Sequence, residues 1–212
     1  MVANIISQER LTKYMIAAGG DAEFSLKLYG WNIQISEAFF PVLSAAEVCL
    51  RNTVSARLIQ VYGHRWWENT EFHSLIGSKG KGIVLRTRNR LLRNGYVTSG
   101  GMIAELSFGF WVQMLRPENV ATIWTPLHSA FPDLPANVTY DQFYVRCDEV
   151  SKFRNRVFHH EPIIERDVLR EYGAIVELIK WISFDKGEWI QKYSRVAAVT
   201  RTKPRRKTVP KS

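Results

Sequence analysis

The chain has 212 residues, 46% of them hydrophobic, with seven Trp and eleven Phe, and a net charge of +9. That is enough apolar material for one sizeable folded domain or two small ones. No run reaches the roughly 18 consecutive apolar residues of a membrane span, and "MVANIISQER" lacks the basic flank and apolar core of a signal peptide.

In chain order the pattern is helical nearly throughout. Ser7 is placed to cap "QERLTKYMIAA", which Gly19 and Gly20 end. Asp21 opens "AEFSLKLYGWNIQISEAFF", and Pro41 is expected to kink the helix or restart it. "VLSAAEVCLRNTVSARLIQVYG" then sets Leu43, Leu50, Val54 and Val61 on one stripe, with Gly63 as its stop. "HRWWENTEFHSLIGSKGKG" predicts a loop, "IVLRTRNRLLRNG" a basic amphipathic helix, and "GMIAELSFGFWVQMLRP" an apolar helix ended by Pro117. "ATIWTPLHSAFPDLP" is short and broken by prolines. "TYDQFYVRCDEVSKFRNRVFHH" predicts a long helix ending near Glu161, because the residue before Pro162 avoids helical geometry. The last long helix, "ERDVLREYGAIVELIKWIS", carries a stripe from Val168 and Leu169 to Ile182.

The two cysteines, Cys49 and Cys147, fall in helical patterns as small core residues, so a reduced, cytoplasmic protein is expected. The charge is uneven. "RVAAVTRTKPRRKTVPKS" holds seven cations and no acid, leaving +2 for residues 1–194. We therefore expect a single domain over 1–194 and a basic, disordered tail over 195–212, attractive to polyanions or merely solubilising.

The chemistry concentrates in "SKFRNRVFHHEPI". Phe143, Cys147, Val150, Val157 and Phe158 share one helix face, and Arg154 lies in its middle. A cation there is costly unless paired or held in a wet cleft. Two readings stand: a structural ion pair, or an anion site. Glu47 interrupts the earlier stripe in the same way. It is spaced to pair with Arg51 at i,i+4, or with Arg154 across the helix interface. His159 and His160 occupy the last turn, where a helix terminus favours imidazolium; they are either proton-transfer groups or caps for exposed carbonyls. On an ideal helix His159 falls about 140° from Arg154. "HHE" at 159–161 has no partner cluster with metal-site spacing, and phosphate-loop and hydrolase motifs are lacking.

"FRNRVFHHEPI" resembles the R-N-x-x-x-H signature of the HEPN superfamily, and the set resembles its Abi-like (abortive infection) branch. The likeness extends to "AEVCLRNTVSARLIQVYG" followed by "WW", to "AELSFGFWVQML" followed by "IWTPLHSAF", and to the final helix. The resemblance implies an all-α bundle of HEPN type with additional helices. It also implies a metal-independent endoribonuclease, often a toxin or antiphage effector, that needs no cofactor. Its alternative is a non-catalytic RNA- or nucleotide-binding module. Arg154, Asn155 and His159 match the motif, with His160, Arg156, Glu47, Arg51 and Asn52 as supporting or RNA-binding candidates. RNA is the implied partner, a homodimer with facing motifs the implied assembly, and an antitoxin of RNA or protein a further partner; no membrane is involved. Facing motifs would let Arg154 of one chain serve His159 of the other.

Overall fold

The computed structural model describes residues 6–125, 131 and 133–206. Among them the secondary structure is helical, without strands, as the periodicity requires. Helix α1 (Gln8–Ala17) starts where Ser7 accepts the Arg10 amide and ends at Gly19 and Gly20, both at positive φ. Asp21 accepts the Phe24 amide at 2.9 Å and opens α2, Ala22–Tyr62, which closes at Gly63 (φ 79°).

Pro41 does not restart this helix: α2 runs through it as one element. A proline inside a helix removes one hydrogen bond, but Ala38, Phe39, Val42 and Leu43 around it are all buried. Their burial holds the helical path. Helix α2 is also long and apolar enough, by length and composition, to cross a membrane. Here it is the central element, and α1 and most later helices pack against it.

The loop expected over 64–82 is largely helical. A 3-10 turn, Trp66–Glu68, buries both Trp66 and Trp67. Asn69 then accepts the Phe72 amide at 3.0 Å and opens α3, Thr70–Arg93. The helix has one break, at Gly77 (φ 63°). The apolar segment before Pro117 does the opposite and divides. Leu106 takes an extended conformation between α4 (Ser99–Glu105) and α5 (Phe108–Gln113), and Ser107 recaps the chain. A π-helical turn spans Val120–Trp124.

Helix α6, Tyr140–Phe158, begins with a capping box in which Thr139 and Gln142 satisfy each other's amides. It runs antiparallel to α2, as shown by ring contacts of Phe40 with Phe158 and the Asn32–Ile163 hydrogen bond. Helix α7 (Val168–Ile182) follows, with Asp167 as cap. Its predicted stripe is buried apart from the exposed Leu169 and the half-buried Tyr172; on α2, likewise, Val61 is exposed. Helix α8 spans Phe184–Tyr193.

The tail is part of the fold through Arg206. Helix α9, Val196–Arg201, buries Val196 fully. The Trp31 indole donates to the Val199 carbonyl at 3.0 Å. Lys203 donates to the Ile164 carbonyl and sits over the Trp31 ring, and Arg206 donates to the Ala18 carbonyl at the end of α1. The sequence reads as disordered here because its cations dominate its composition. Two of those cations, Lys203 and Arg206, are in fact anchors, and Arg195 adds an exposed pair with Glu37 at 2.7 Å. Residues 207–212 lie outside the described residues.

Candidate functional site

Arg154 projects from α6 toward α2 because its neighbours Val150, Phe153 and Val157 are packed in that interface. Its side chain is 23% exposed. The Nε donates to Glu47 Oε2 at 3.1 Å, and Glu47 is itself 16% exposed. An Nη donates to Asn155 Oδ1 at 3.3 Å, and the guanidinium lies 4.1 Å from the centre of the Phe158 ring. The cross-helix pairing of Glu47 with Arg154 is therefore formed. The alternative i,i+4 pairing with Arg51 is not: Glu47 turns into the helix interface, and the Arg51 Nε is buried without a hydrogen-bond partner. Among the described residues, a partly buried arginine whose Nε has no partner thus stands one turn along α2 from the Glu47–Arg154 pair.

The end of α6 is built by backbone geometry. His159 caps the helix, its amide donating to the Asn155 carbonyl at 2.9 Å. His160 is in the left-handed region at φ 57°, the single non-glycine residue there among those described. Its amide donates to the Val157 carbonyl, and the Glu161 amide donates to the Arg156 carbonyl. This pair of bonds is a Schellman closure, a motif that usually places glycine where His160 stands. For an L-residue that conformation costs about 1–2 kcal/mol.

Asn155 and His159 are both exposed. Asn155 joins the parts: its side chain holds Arg154 and its main chain holds His159. No hydrogen bond or ion pair links Arg154 directly to His159 within one chain, in line with their wheel separation. Arg156 is occupied by Glu161 at 3.5 Å. Asn52 is exposed on α2, and its carbonyl accepts the Ser55 hydroxyl.

Beside this helix end lies a half-open cleft of about 580 Å³ between α1, α2 and the last turn of α6. Phe158 and His160 form one wall; Tyr29, Asn32 and Phe40 lie on α2 opposite. Sequence reading missed these three because they share a helix with the main core stripe. Phe39 and Phe40 are adjacent, yet Phe39 is fully buried and Phe40 is 54% exposed. The signal available was that pair: consecutive helical residues point about 100° apart, so one of two adjacent phenylalanines can face away from the core.

No protein-family model matches the chain, and no curated protein or solved structure is significantly similar to it. The geometry therefore carries the functional argument by itself.

Proposed function

We propose that the protein is a metal-independent endoribonuclease of HEPN type, a bacterial abortive-infection effector or toxin acting in the cytoplasm. The observation that carries this reading is Asn155. It ties a half-buried arginine and an exposed histidine to one helix end, with the Arg51 Nε unpartnered nearby. RNA brings its own nucleophile, the 2′-hydroxyl. His159 takes that proton or delivers one to the leaving 5′-oxygen. Arg154 holds the phosphate as charge builds on it, a task that suits a planar, permanently charged fork. Asn155 fixes the orientation of Arg154. The products are a 2′,3′-cyclic phosphate and a 5′-hydroxyl. Two chains with their 154–160 segments facing bring Arg154 of one to His159 of the other.

The engagement of Arg154 by Glu47 favours a second reading, a non-catalytic RNA-binding module in which the arginine is structural. Incubation with total RNA in EDTA separates the two. The enzyme cleaves RNA there and fails on 2′-O-methylated RNA, whereas the binding module leaves both intact.

A further inference from the structure

The cleft beside His160 is more than a gap between helices. Its aromatic wall continues the candidate site without interruption. The Phe40 and Phe158 rings stack with centroids 5.2 Å apart and planes 21° from parallel. The Arg154 guanidinium lies on Phe158 in turn. A partly exposed aromatic shelf thus leads from the cleft to the cation assigned to the phosphate. Splayed single-stranded bases are held by such shelves.

The polar side of the cleft is also unfinished. Asn32 is almost fully buried, and its carboxamide oxygen is spent on the Ile163 amide at 2.8 Å. Its NH₂ group is left on the cleft wall. The Ser36 hydroxyl, in the same wall, is buried with no hydrogen-bond partner. Buried polar groups are normally satisfied, so the unused Ser36 hydroxyl, beside the Asn32 amide in one cavity, points to a polar ligand. A carboxylate, Glu37, and a cation, Arg10, complete the lining. Glu37 is held only by an exposed ion pair with Arg195, which solvent makes easy to exchange.

We propose that this cleft is a base subsite that takes a guanine of single-stranded RNA beside the scissile phosphate; the placing of that phosphate rests on the ribonuclease reading. Guanine is the RNA base that offers one carboxylate two adjacent donors, N1–H and the 2-amino group, which Glu37 accepts. Its O6 and N7 accept from Arg10 and Asn32. Phe40 stacks on its face. A cleft of about 580 Å³ is in the size range of small-ligand sites.

The test measures binding apart from cleavage. Fluorescein-labelled 2′-O-methyl tetranucleotides, uridine throughout except for G, A, C or U at the third position, are titrated into the full chain and followed by anisotropy. The guanine oligonucleotide should bind roughly tenfold tighter than the other three, as one bidentate base contact provides. Glu37→Gln should erase that preference while overall binding persists. Phe40→Ala should weaken all four by about tenfold, the loss of one stacking platform. Both side chains are exposed, so both variants should melt with the parent. Equal affinities for all four bases, no binding of any, or a preference that survives Glu37→Gln would overturn the subsite. Light scattering adds another arm: a Phe40→Ala protein that dissociates from dimer to monomer yet binds all four oligonucleotides as tightly as the parent would assign Phe40 to a second copy, and the stacking subsite would fall. Cleavage of RNA without guanine preference removes the subsite alone. Guanine preference without cleavage keeps the subsite and removes the ribonuclease.

Discussion

Two arginines eight residues apart on α6 invite comparison. Arg146 and Arg154 are equally exposed, at 23% of the side chain. Each reaches a glutamate on a neighbouring helix, Glu177 on α7 and Glu47 on α2. Each lies over an aromatic ring, Trp181 and Phe158. Burial and pairing alone would assign them the same role. They differ in what remains available. Arg146 also reaches Glu149 and donates to the Ala174 carbonyl, so its partners belong to the packed helices alone. Arg154 spends its fork on one glutamate and on Asn155, and Asn155 leads to an exposed histidine at a strained helix end. A cation within an apolar stripe is thus no sign of chemistry in itself. Its neighbours decide, and the two ends of α6 separate into a structural half and a candidate site.

The sharpest way to break that division is His159→Ala. If the His159 end is chemical, RNA cleavage should fall by roughly two to four orders of magnitude. The melting temperature should stay within error, because the side chain is exposed and its amide does the capping. The matching change at the other end, Arg146→Ala, should do the reverse: lower stability with cleavage per folded molecule unchanged. Cleavage by His159→Ala at the parental rate would dissolve the distinction.

Glutamate partners give the next largest effect. Glu47 is mostly buried, and removing one partner of a fully buried pair typically costs about 3–5 kcal/mol. Residual solvent lowers the expectation for Glu47→Ala to about 2–3 kcal/mol, read by denaturant unfolding. Glu177 is 50% exposed, so Glu177→Ala should cost less than about 1 kcal/mol. Equal costs would mean that the Glu47–Arg154 pair is as solvated as its counterpart.

How much of this was legible beforehand follows the same division. Capping signals that act locally were readable: Ser7, Asp21 and Gly63 all delimit helices. So was the oddity of Arg154 and Glu47, since a charge in an apolar stripe is visible in one dimension. Where tertiary packing overrides local preference, the sequence misleads. The segment 64–82 was expected to be a loop, but from Thr70 on it is helical on either side of one break at Gly77. Pro41 promised a kink or a restart, and the buried residues around it prevent the restart. The basic tail hid its anchors because Trp31 and Ile164, which hold it, lie far away in the chain. Phe40 was illegible as a cleft residue for the same reason: its partner, Phe158, is contributed by α6.

Alkaline pH offers a smaller effect confined to the structural half. Tyr140, at the start of α6, donates its hydroxyl to the Leu115 carbonyl. Its pKa is pushed up to about 12, by burial first and by the neighbouring Tyr144 and Asp141 next. The folded protein therefore keeps a proton that the unfolded chain releases near pH 10. That contribution is whole below about pH 10 and is lost as pH rises toward 12. Because the ring is partly solvated, the loss should stay below about 1 kcal/mol. Tyr140→Phe should be less stable at neutral pH by about 1 kcal/mol, the value of one hydrogen bond. Its stability should then fall less steeply between pH 10 and 12. A parallel decline in both proteins would place the alkaline sensitivity elsewhere.

The smallest effect isolates the strain at the site end. His160 occupies a position that Schellman closures give to glycine, and its left-handed backbone is costly for an L-residue. His160→Gly removes that strain but adds disorder to the unfolded chain, so the net gain should be about 0.5–1 kcal/mol. The Arg156 and Val157 carbonyls remain capped, because the closure uses only backbone amides. A strained histidine where glycine would stabilise the helix end motivates a test of its side chain. His160 lines the cleft beside Phe158, so the glycine variant should melt higher and bind or cleave RNA less well. A variant that gains stability with RNA binding and cleavage intact would reduce His160 to an ordinary helix end. A variant that loses stability would mean that the imidazole makes contacts worth more than the strain it carries.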